Sequence, residues 1–222
     1  MESSLCTFIE IFTKEMDCGD GKKLCPKKII IPIVQRDYAQ GRDSTGINRV
    51  RSRFLDALYK AVTENPVTLD FIYGDIDDKG ILTPLDGQQR LTTLFLLHWY
   101  AAKKDNVPSE KTDFLKNFSY EIRPDARDFC KCLSEFNPSF DEKKLSAEIE
   151  NQAWFPLNWK KDTTVGAMLI MLDAINEKFL RNAVLSGGTL SFFAAYQCNK
   201  YKVVRRCCPS SGVKMPSSSM SP

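Results

Sequence analysis

The segment after Asp86-Gly87 is the feature that most constrains the fold of this 222-residue chain. A helix from there to about Lys104 would carry apolar side chains on nearly every side, namely Leu91, Leu94, Phe95, Leu96, Leu97, Trp99 and Tyr100. A helix that is apolar all round is buried on all sides. We therefore predict a central helix on which the other elements pack.

Shorter apolar runs ahead of this helix predict strands and one amphipathic helix. Residues 27–34 (KKIIIPIV) are rich in β-branched side chains, which is typical of a strand, and Pro32 places that strand at a sheet edge or a bulge. Residues 69–76 and 81–85 predict two strands joined by a polar turn that ends in a glycine. Residues 47–62 place apolar side chains every three or four positions, which predicts an amphipathic helix.

The second half of the chain predicts mostly helices, at 126–136, 142–152 and 164–180, the last with capping residues at 162–164. We therefore predict an α+β chain with an N-terminal segment (1–27), a mixed-sheet core (28–105) and a helical subdomain (106–185). Residues 186–222 change in character and end in a stretch rich in serine and proline. We expect a disordered or aberrant tail there, left by truncation or a frame shift of a longer protein.

Composition argues against several classes of function. The net charge of +3 is too small to indicate nucleic-acid binding by charge alone, which needs a concentrated basic face. The eight cysteines form no Cys-x-x-Cys pair and His98 is the only histidine, so we expect reduced thiols rather than a zinc site. The first residues do not resemble a secretory leader, and no apolar stretch reaches the roughly 18 residues that span a bilayer. We expect a cytoplasmic protein without membrane contact.

The junction between the strand at 81–85 and the apolar helix is the strongest candidate site. The first N–H groups of a helix lack intrahelical partners and carry partial positive charge, so they attract anions. Gly87 lets a phosphate approach the backbone, and Arg90 reaches back over the opening because helical side chains lean toward the N-terminus. Thr92 and Thr93 add hydroxyl groups nearby. We therefore predict a phosphate site.

Asp86 would repel a phosphate unless its charge has a task. We predict that Asp86 holds a divalent cation, Mg²⁺, that bridges to phosphate oxygens, or that it orients an attacking water. The competing explanation is a capping box, in which Asp86 and Gln89 serve only to start the helix. Capping does not explain Gln88 and Arg90 at the head of an apolar helix, and this favours the ligand site.

A second polar group follows the first strand, at 35–38. Arg36 has the chemistry to clamp a phosphate, Tyr38 to stack on a base and Gln35 to read a base edge. The alternative is structural, with Arg36 paired to Asp37 or Asp86 and Tyr38 in the core. The sequence leaves both open and does not give the distance between the two motifs.

Other candidates are weaker. His98 lies roughly 12 Å along the helix from Arg90, too far to share a proton with that site, so we expect a packed histidine. Residues 19–23 (GDGKK) lack the spacing of a P-loop and predict a turn. The arginines within 47–62 are typical of a solvated face, and a role in nucleic-acid binding stays open.

Three segments resemble the domain-of-unknown-function family that forms the N-terminal part of GmrSD-type restriction endonucleases and related phage-defence proteins. They are IPIVQRDYAQ (31–40), FIYGDIDDKGILTPLDGQQRLTTLFLLHWY (71–100) and, less distinctively, residues 118–133 with 159–179. The string DGQQRLTTL is the most specific. Together they cover about residues 28–180.

The resemblance implies a ParB- and sulfiredoxin-like fold, in which the strand end with Arg36 and the DGQQR helix start line a nucleotide pocket. It implies that the core binds a nucleoside triphosphate, with or without slow hydrolysis, and gates DNA cleavage by a partner domain. Ile72, Tyr73 and Gly74 match a segment that some relatives use to sense modified DNA. Sulfiredoxin chemistry is not expected, because glutamines occupy the turn where that chemistry needs a cysteine.

Two departures from the family pattern matter. Val34 stands where relatives often have an aromatic residue, which disfavours base stacking there. An HNH-type nuclease centre needs several histidines and the chain has only His98, so we expect a partner domain or subunit to supply the nuclease. The leading hypothesis is a nucleotide-binding regulatory domain of a modification-dependent restriction or phage-defence system that does not cut DNA alone. The alternatives are a non-enzymatic DNA-binding or regulatory module and an inert fragment.

Overall fold

The computed structural model of the chain describes residues 3–17, 23–32, 37–64, 67–186 and 201–207. Six strands form one sheet: β1 (Ser3–Cys6), β4 (Lys28–Ile31), β5 (Val67–Ile76), β6 (Ile81–Asp86), β7 (Phe118–Tyr120) and β8 (Tyr201–Cys207). Two short strands, β2 (Met16–Asp17) and β3 (Lys23–Leu24), pair separately. The helices are α1 (Glu10–Thr13), α2 (Thr45–Thr63), α3 (Gln88–Lys104), α4 (Pro124–Glu135), α5 (Leu145–Glu150) and α6 (Thr163–Ser186). The architecture is α+β, as predicted.

The sheet is mixed, with the order β1-β8-β5-β6-β4-β7. β4 pairs in parallel with both β6 and β7, so it is an inner strand rather than the edge strand that Pro32 suggested. Pro32 lies just beyond the last residue of β4, where its missing N–H removes no ladder hydrogen bond. The hairpin between β5 and β6 matches the prediction, since Gly80 has φ 79° and its N–H donates to Asp77 O at 2.9 Å.

The apolar helix α3 lies at the centre of the molecule, as its sequence predicts. Every residue from Leu91 to Ala102 is buried. The ring of Phe95 stacks on Phe118 of β7 with centroids 4.6 Å apart, and the Tyr100 hydroxyl donates to Asn176 Oδ1 of α6 at 3.1 Å. The sheet and the later helices therefore meet on this one element.

The second half of the chain is largely helical, with β7 as an addition that the sequence did not indicate. The Asp162 carboxylate caps α6 by accepting the N–H groups of Thr164 and Val165, both at 2.8 Å, so the predicted capping residues are confirmed. One apolar cluster runs from Cys6 to Phe179 and includes side chains on both sides of the predicted boundary near residue 105. No helix in the described ranges has the length and apolarity to cross a membrane.

Residues 201–207 form a strand where the sequence predicted disorder. β8 pairs in parallel with β5 and antiparallel with β1, so it occupies an inner position in the sheet. Its sequence, YKVVRRC, contains two adjacent valines, a composition that suits a strand. The partner strand β5 is more than a hundred residues away in sequence, and local patterning does not reveal such a pairing. Residues 187–200 and 208–222 lie outside the described part of the chain.

Candidate functional site

A sharp bend joins β6 to α3. β6 ends at Asp86, Gly87 has φ 87° and ψ 7°, and α3 begins at Gln88. Such a positive φ is readily adopted only by glycine, which also has no side chain with which to cap the helix. The hydrogen bond from Leu91 N to Gly87 O, at 2.9 Å, closes the first turn of α3. The N–H groups ahead of Leu91 therefore have no acceptor within the helix, and they supply the partial positive charge that the sequence predicts here.

Arg90 and Asp86 face each other across this bend. Arg90 Nη2 lies 3.5 Å from Asp86 Oδ2, with 20% and 61% of the two side chains exposed. The guanidinium therefore reaches back toward the helix start, in the direction that its position predicts. The capping-box alternative is wrong, because Gly87 rather than Asp86 is the N-cap residue.

Gln89 connects the two sequence motifs. Its Oε1 accepts the backbone N–H groups of Ala39 and Gln40, at 2.8 and 3.2 Å. Its Nε2 donates to Asp37 O at 2.9 Å. These contacts place residues 37–40 directly against the first turn of α3, a proximity that the sequence could not give. Both polar atoms of the Gln89 side-chain amide therefore form hydrogen bonds within the protein.

Four further predicted site residues lie near the bend but point into the protein. Gln88 is buried, and its Nε2 donates to Pro84 O at 3.0 Å. The Thr92 hydroxyl is hydrogen-bonded to Tyr120 OH at 2.8 Å, and the Thr93 hydroxyl is hydrogen-bonded to Tyr38 OH at 2.7 Å. Burial raises the pKa of Tyr38 well above its ordinary value. Tyr38 thus lies in the core, as the structural alternative for residues 35–38 predicts. Its ring is not exposed, whereas base stacking would require an exposed ring.

Asp37 is bound on several sides. Its carboxylate accepts from Arg42 Nη2 at 2.8 Å and from Thr163 Oγ1 at 3.2 Å, and it forms an ion pair with Arg123. Partial burial favours the neutral acid, but Arg123, Thr163 and Arg42 outweigh that effect and lower the pKa of Asp37 below its ordinary value. Gln35 and Arg36 lie outside the described residues, so their predicted roles stay predictions.

The IYG triplet in β5 has one member beside the bend. Ile72 is buried in the core, and a Cβ atom on Gly74 would lie 2.6 Å from Thr83 O, so close packing explains these two residues. Tyr73 is the register partner of Asp86 on β6, and paired residues of neighbouring strands share a face of the sheet. Arg206 of β8 occupies the next register position on the other side of Tyr73.

A cavity of about 340 Å³ adjoins Arg90. Residues from α2, β5, α3 and the segment before α2 line it: Gln40, Val50, Phe54, Thr68, Leu69 and Arg90. Its volume lies in the range of small-molecule sites, and its lining combines apolar side chains with an amide and a guanidinium. Sequence reasoning missed all of these residues except Arg90, because four separate elements contribute them.

A family model matches most of the chain. The model described as GmrSD restriction endonuclease, N-terminal domain, matches residues 20–213. The chain belongs to this family. The GmrSD N-terminal domain match includes both polar motifs and β8, and it confirms the resemblance that the motifs indicated. No curated protein matches the chain.

The donor groups at the bend of this GmrSD N-terminal domain suit one kind of metal binding. Asp86 contributes a single exposed carboxylate, and within the described ranges no three histidine, cysteine or acidic side chains cluster as metal ligands. Mg²⁺ is commonly held by one or two carboxylates together with substrate phosphates and water. The residues at the bend fit that mode, in which the nucleotide supplies most of the ligands.

The only histidine has no place in this site. His98 is fully buried, and its Nδ1 lies 2.7 Å from Leu94 O of the preceding turn. Burial lowers the pKa of His98 to about 4. The prediction of a packed histidine is confirmed.

Proposed function

We propose that this GmrSD N-terminal domain binds a nucleoside triphosphate together with Mg²⁺ at the start of α3. The observation that carries the proposal is the bend itself. A glycine with positive φ opens the N-terminus of a buried helix, and Asp86 and Arg90 face each other over that opening beside a cavity. Backbone amides at a helix start, a guanidinium and a carboxylate are the groups that a magnesium-bound polyphosphate needs.

Each group has a distinct role in the proposed complex. The amides after Gly87 and the Arg90 guanidinium bind phosphate oxygens, and Asp86 binds Mg²⁺, which neutralises charge when it is present. Arg36 immediately precedes Asp37, whose carbonyl is bound by Gln89, so Arg36 is the second candidate for a phosphate contact. The cavity beside Arg90, which apolar side chains line in part, is the place that we propose for the nucleoside.

Regulation rather than DNA cleavage is the role that we infer for the bound nucleotide. The matched family is described as part of a restriction endonuclease, which supports a place in a restriction or phage-defence system. An HNH-type nuclease partner would perform the cleavage, and slow hydrolysis of the nucleotide, with Asp86 holding Mg²⁺ or, alternatively, orienting a water, would reset the domain. Tyr73, the triplet residue beside Asp86, would link sensing of modified DNA to the nucleotide site.

Calorimetric titration with ATP, GTP, CTP and UTP, with and without Mg²⁺, tests the proposal. We expect binding of at least one triphosphate that is stronger with Mg²⁺, a loss of about tenfold or more in Arg90→Ala, and loss of the Mg²⁺ effect in Asp86→Asn. Arg127→Ala is the matched control, because Arg127 is an exposed arginine of α4 paired with Asp128. A folded Arg90→Ala protein that binds nucleotide as wild type does would overturn the proposal.

The DNA-binding alternative predicts a different result in the same preparation. Binding of duplex DNA through several phosphates weakens steeply with salt, whereas a nucleotide in a pocket responds less. DNA binding with a steep salt dependence, and no nucleotide binding, would favour the alternative.

A further inference from the structure

Three helices fix residues 37–43, here called the anchor segment. Gln89 of α3 binds three of its backbone groups, and Arg51 of α2 donates to two of its carbonyl oxygens, at 3.3 and 3.2 Å. On the side of α6, Gly41 packs so closely that an added Cβ atom would lie 1.7 Å from Ala167 O. The anchor segment therefore has little freedom to shift relative to the bend.

Asp37 is the first residue of the anchor segment, and its carboxylate makes the charged contacts of the segment. Arg123 stands immediately before α4, Thr163 is the first residue of α6, and Arg42 belongs to the anchor segment itself. All three bind the Asp37 carboxylate. One side chain thus links the residues beside the bend to the starts of α4 and α6.

We propose that Asp37 is a positioning residue of the nucleotide site and acts through its ion pair with Arg123. The inference rests on the proposed function. Asp37 is not part of the lining of the cavity beside Arg90, so it has no described contact with the place of the ligand. Its effect reaches the ligand through the chain, because its carbonyl is held by Gln89 and its amide nitrogen is bonded to Arg36.

The two arginine partners of Asp37 differ in what they connect. Arg123 is about one-third exposed and also donates to Thr164 Oγ1 at 3.3 Å, so it ties Asp37 to α6. Arg42 is more exposed and lies only five residues from Asp37, so it braces the anchor segment against itself. Loss of Arg123 is therefore expected to loosen Asp37 at the start of the segment, and loss of Arg42 is not.

The test is a double-mutant cycle on nucleotide affinity, measured by calorimetry with the triphosphate and Mg²⁺. We expect Asp37→Asn and Arg123→Gln each to weaken binding by about tenfold, and the double variant to be no weaker than either single one. Asp37→Glu should recover part of the affinity. Arg42→Gln is the matched control and should change affinity by less than about twofold. Urea unfolding of each variant shows that the assayed protein is folded.

Each outcome decides between the two claims. Full affinity in folded Asp37→Asn, or additive losses in the double variant, would overturn the positioning role while leaving the nucleotide site in place. Absence of nucleotide binding in the wild-type protein would overturn the proposed function and this inference with it. If Asp37→Asn does not fold, Arg123→Gln decides by itself: a tenfold loss supports the role, and wild-type affinity overturns it.

Discussion

Gln89 Oε1 accepts the backbone N–H of Ala39 at 2.8 Å, although the two residues are 50 positions apart in sequence. The same amide also binds the backbone of Gln40 and Asp37, so both of its polar atoms are used within the protein. The residues of the DGQQR string therefore have different roles. Gln89 holds the anchor segment in place, while Asp86 and Arg90 remain beside the cavity and the bend.

Gln89→Ala should destabilise the protein and weaken nucleotide binding together. The substitution leaves three partly buried backbone groups without their partner, and such a loss costs about 1–3 kcal/mol. The free energy of unfolding, from urea titration at 25 °C, measures the first effect and calorimetry with nucleotide measures the second. Gln152→Ala is the control, since the Gln152 amide makes one backbone hydrogen bond, to Glu148 O at 3.0 Å. Equal stability of the two variants would contradict the role given to Gln89.

Two glycine substitutions should have opposite effects. Gly41→Ala places a Cβ atom against the Ala167 carbonyl, which forces backbone movement, so we expect a loss of about 3 kcal/mol or more in unfolding free energy. Gly46→Ala lies in the first turn of α2 with open space around the added atom, so we expect a gain of up to about 1 kcal/mol. Thermal melts of both variants check the pair. A Gly41→Ala protein as stable as wild type would show that α6 is not packed on the anchor segment.

The sequence predicted those elements whose signal is local. The all-apolar pattern of α3, the periodicity of α2 and the turn before Gly80 each specify an element within a few residues, and the structure confirms them. β8 and β7 were missed because each is short and gains its stability from distant partners. Pro32 was read as an edge signal because sequence does not show that the strand ends one residue earlier.

The position of the candidate site was predictable from the sequence, and its contacts were not. A glycine and an arginine at a helix start indicate an anion site, and the structure places Gly87 at the N-cap of α3 with Arg90 beside Asp86. Gln89 was read as a ligand-facing or capping residue, because its real partners lie 50 residues upstream. Thr93 was likewise read as a ligand-facing residue, because its hydrogen-bond partner Tyr38 also lies far upstream in the sequence. Arg123 gave no local signal for a role beside Asp37.

His98 should make stability depend on pH between its two pKa values. The ordinary pKa is 6.5, and burial lowers that of the folded protein to about 4, so the unfolded chain binds the proton more strongly. Stability is therefore full above about pH 6.5 and is lost progressively as pH falls toward 4, by about 3 kcal/mol in total. Urea unfolding at pH values from 7 to 4 measures this loss.

The control for His98 is His98→Phe, which keeps a ring packed beside Phe8 and Phe114 and removes the titrating group. The difference between the two unfolding curves isolates the histidine from the carboxylates that titrate below about pH 5. We expect the stability of the wild type relative to that of His98→Phe to fall as the pH falls from 7 to 4. A difference that does not change from pH 7 to 4 would contradict the burial of a neutral imidazole.

Thr92 and Tyr120 should behave as one buried pair, separate from ligand binding. Thr92→Val and Tyr120→Phe each leave one buried hydroxyl without its partner at 2.8 Å, so each should cost about 1–3 kcal/mol in unfolding free energy. The double variant removes both hydroxyls and should be more stable than the sum of the two losses predicts. Nucleotide affinity in Thr92→Val should stay within about twofold of wild type, because the hydroxyl faces the interior. A larger loss of affinity at unchanged stability would instead return Thr92 to the phosphate contacts that its sequence position suggested.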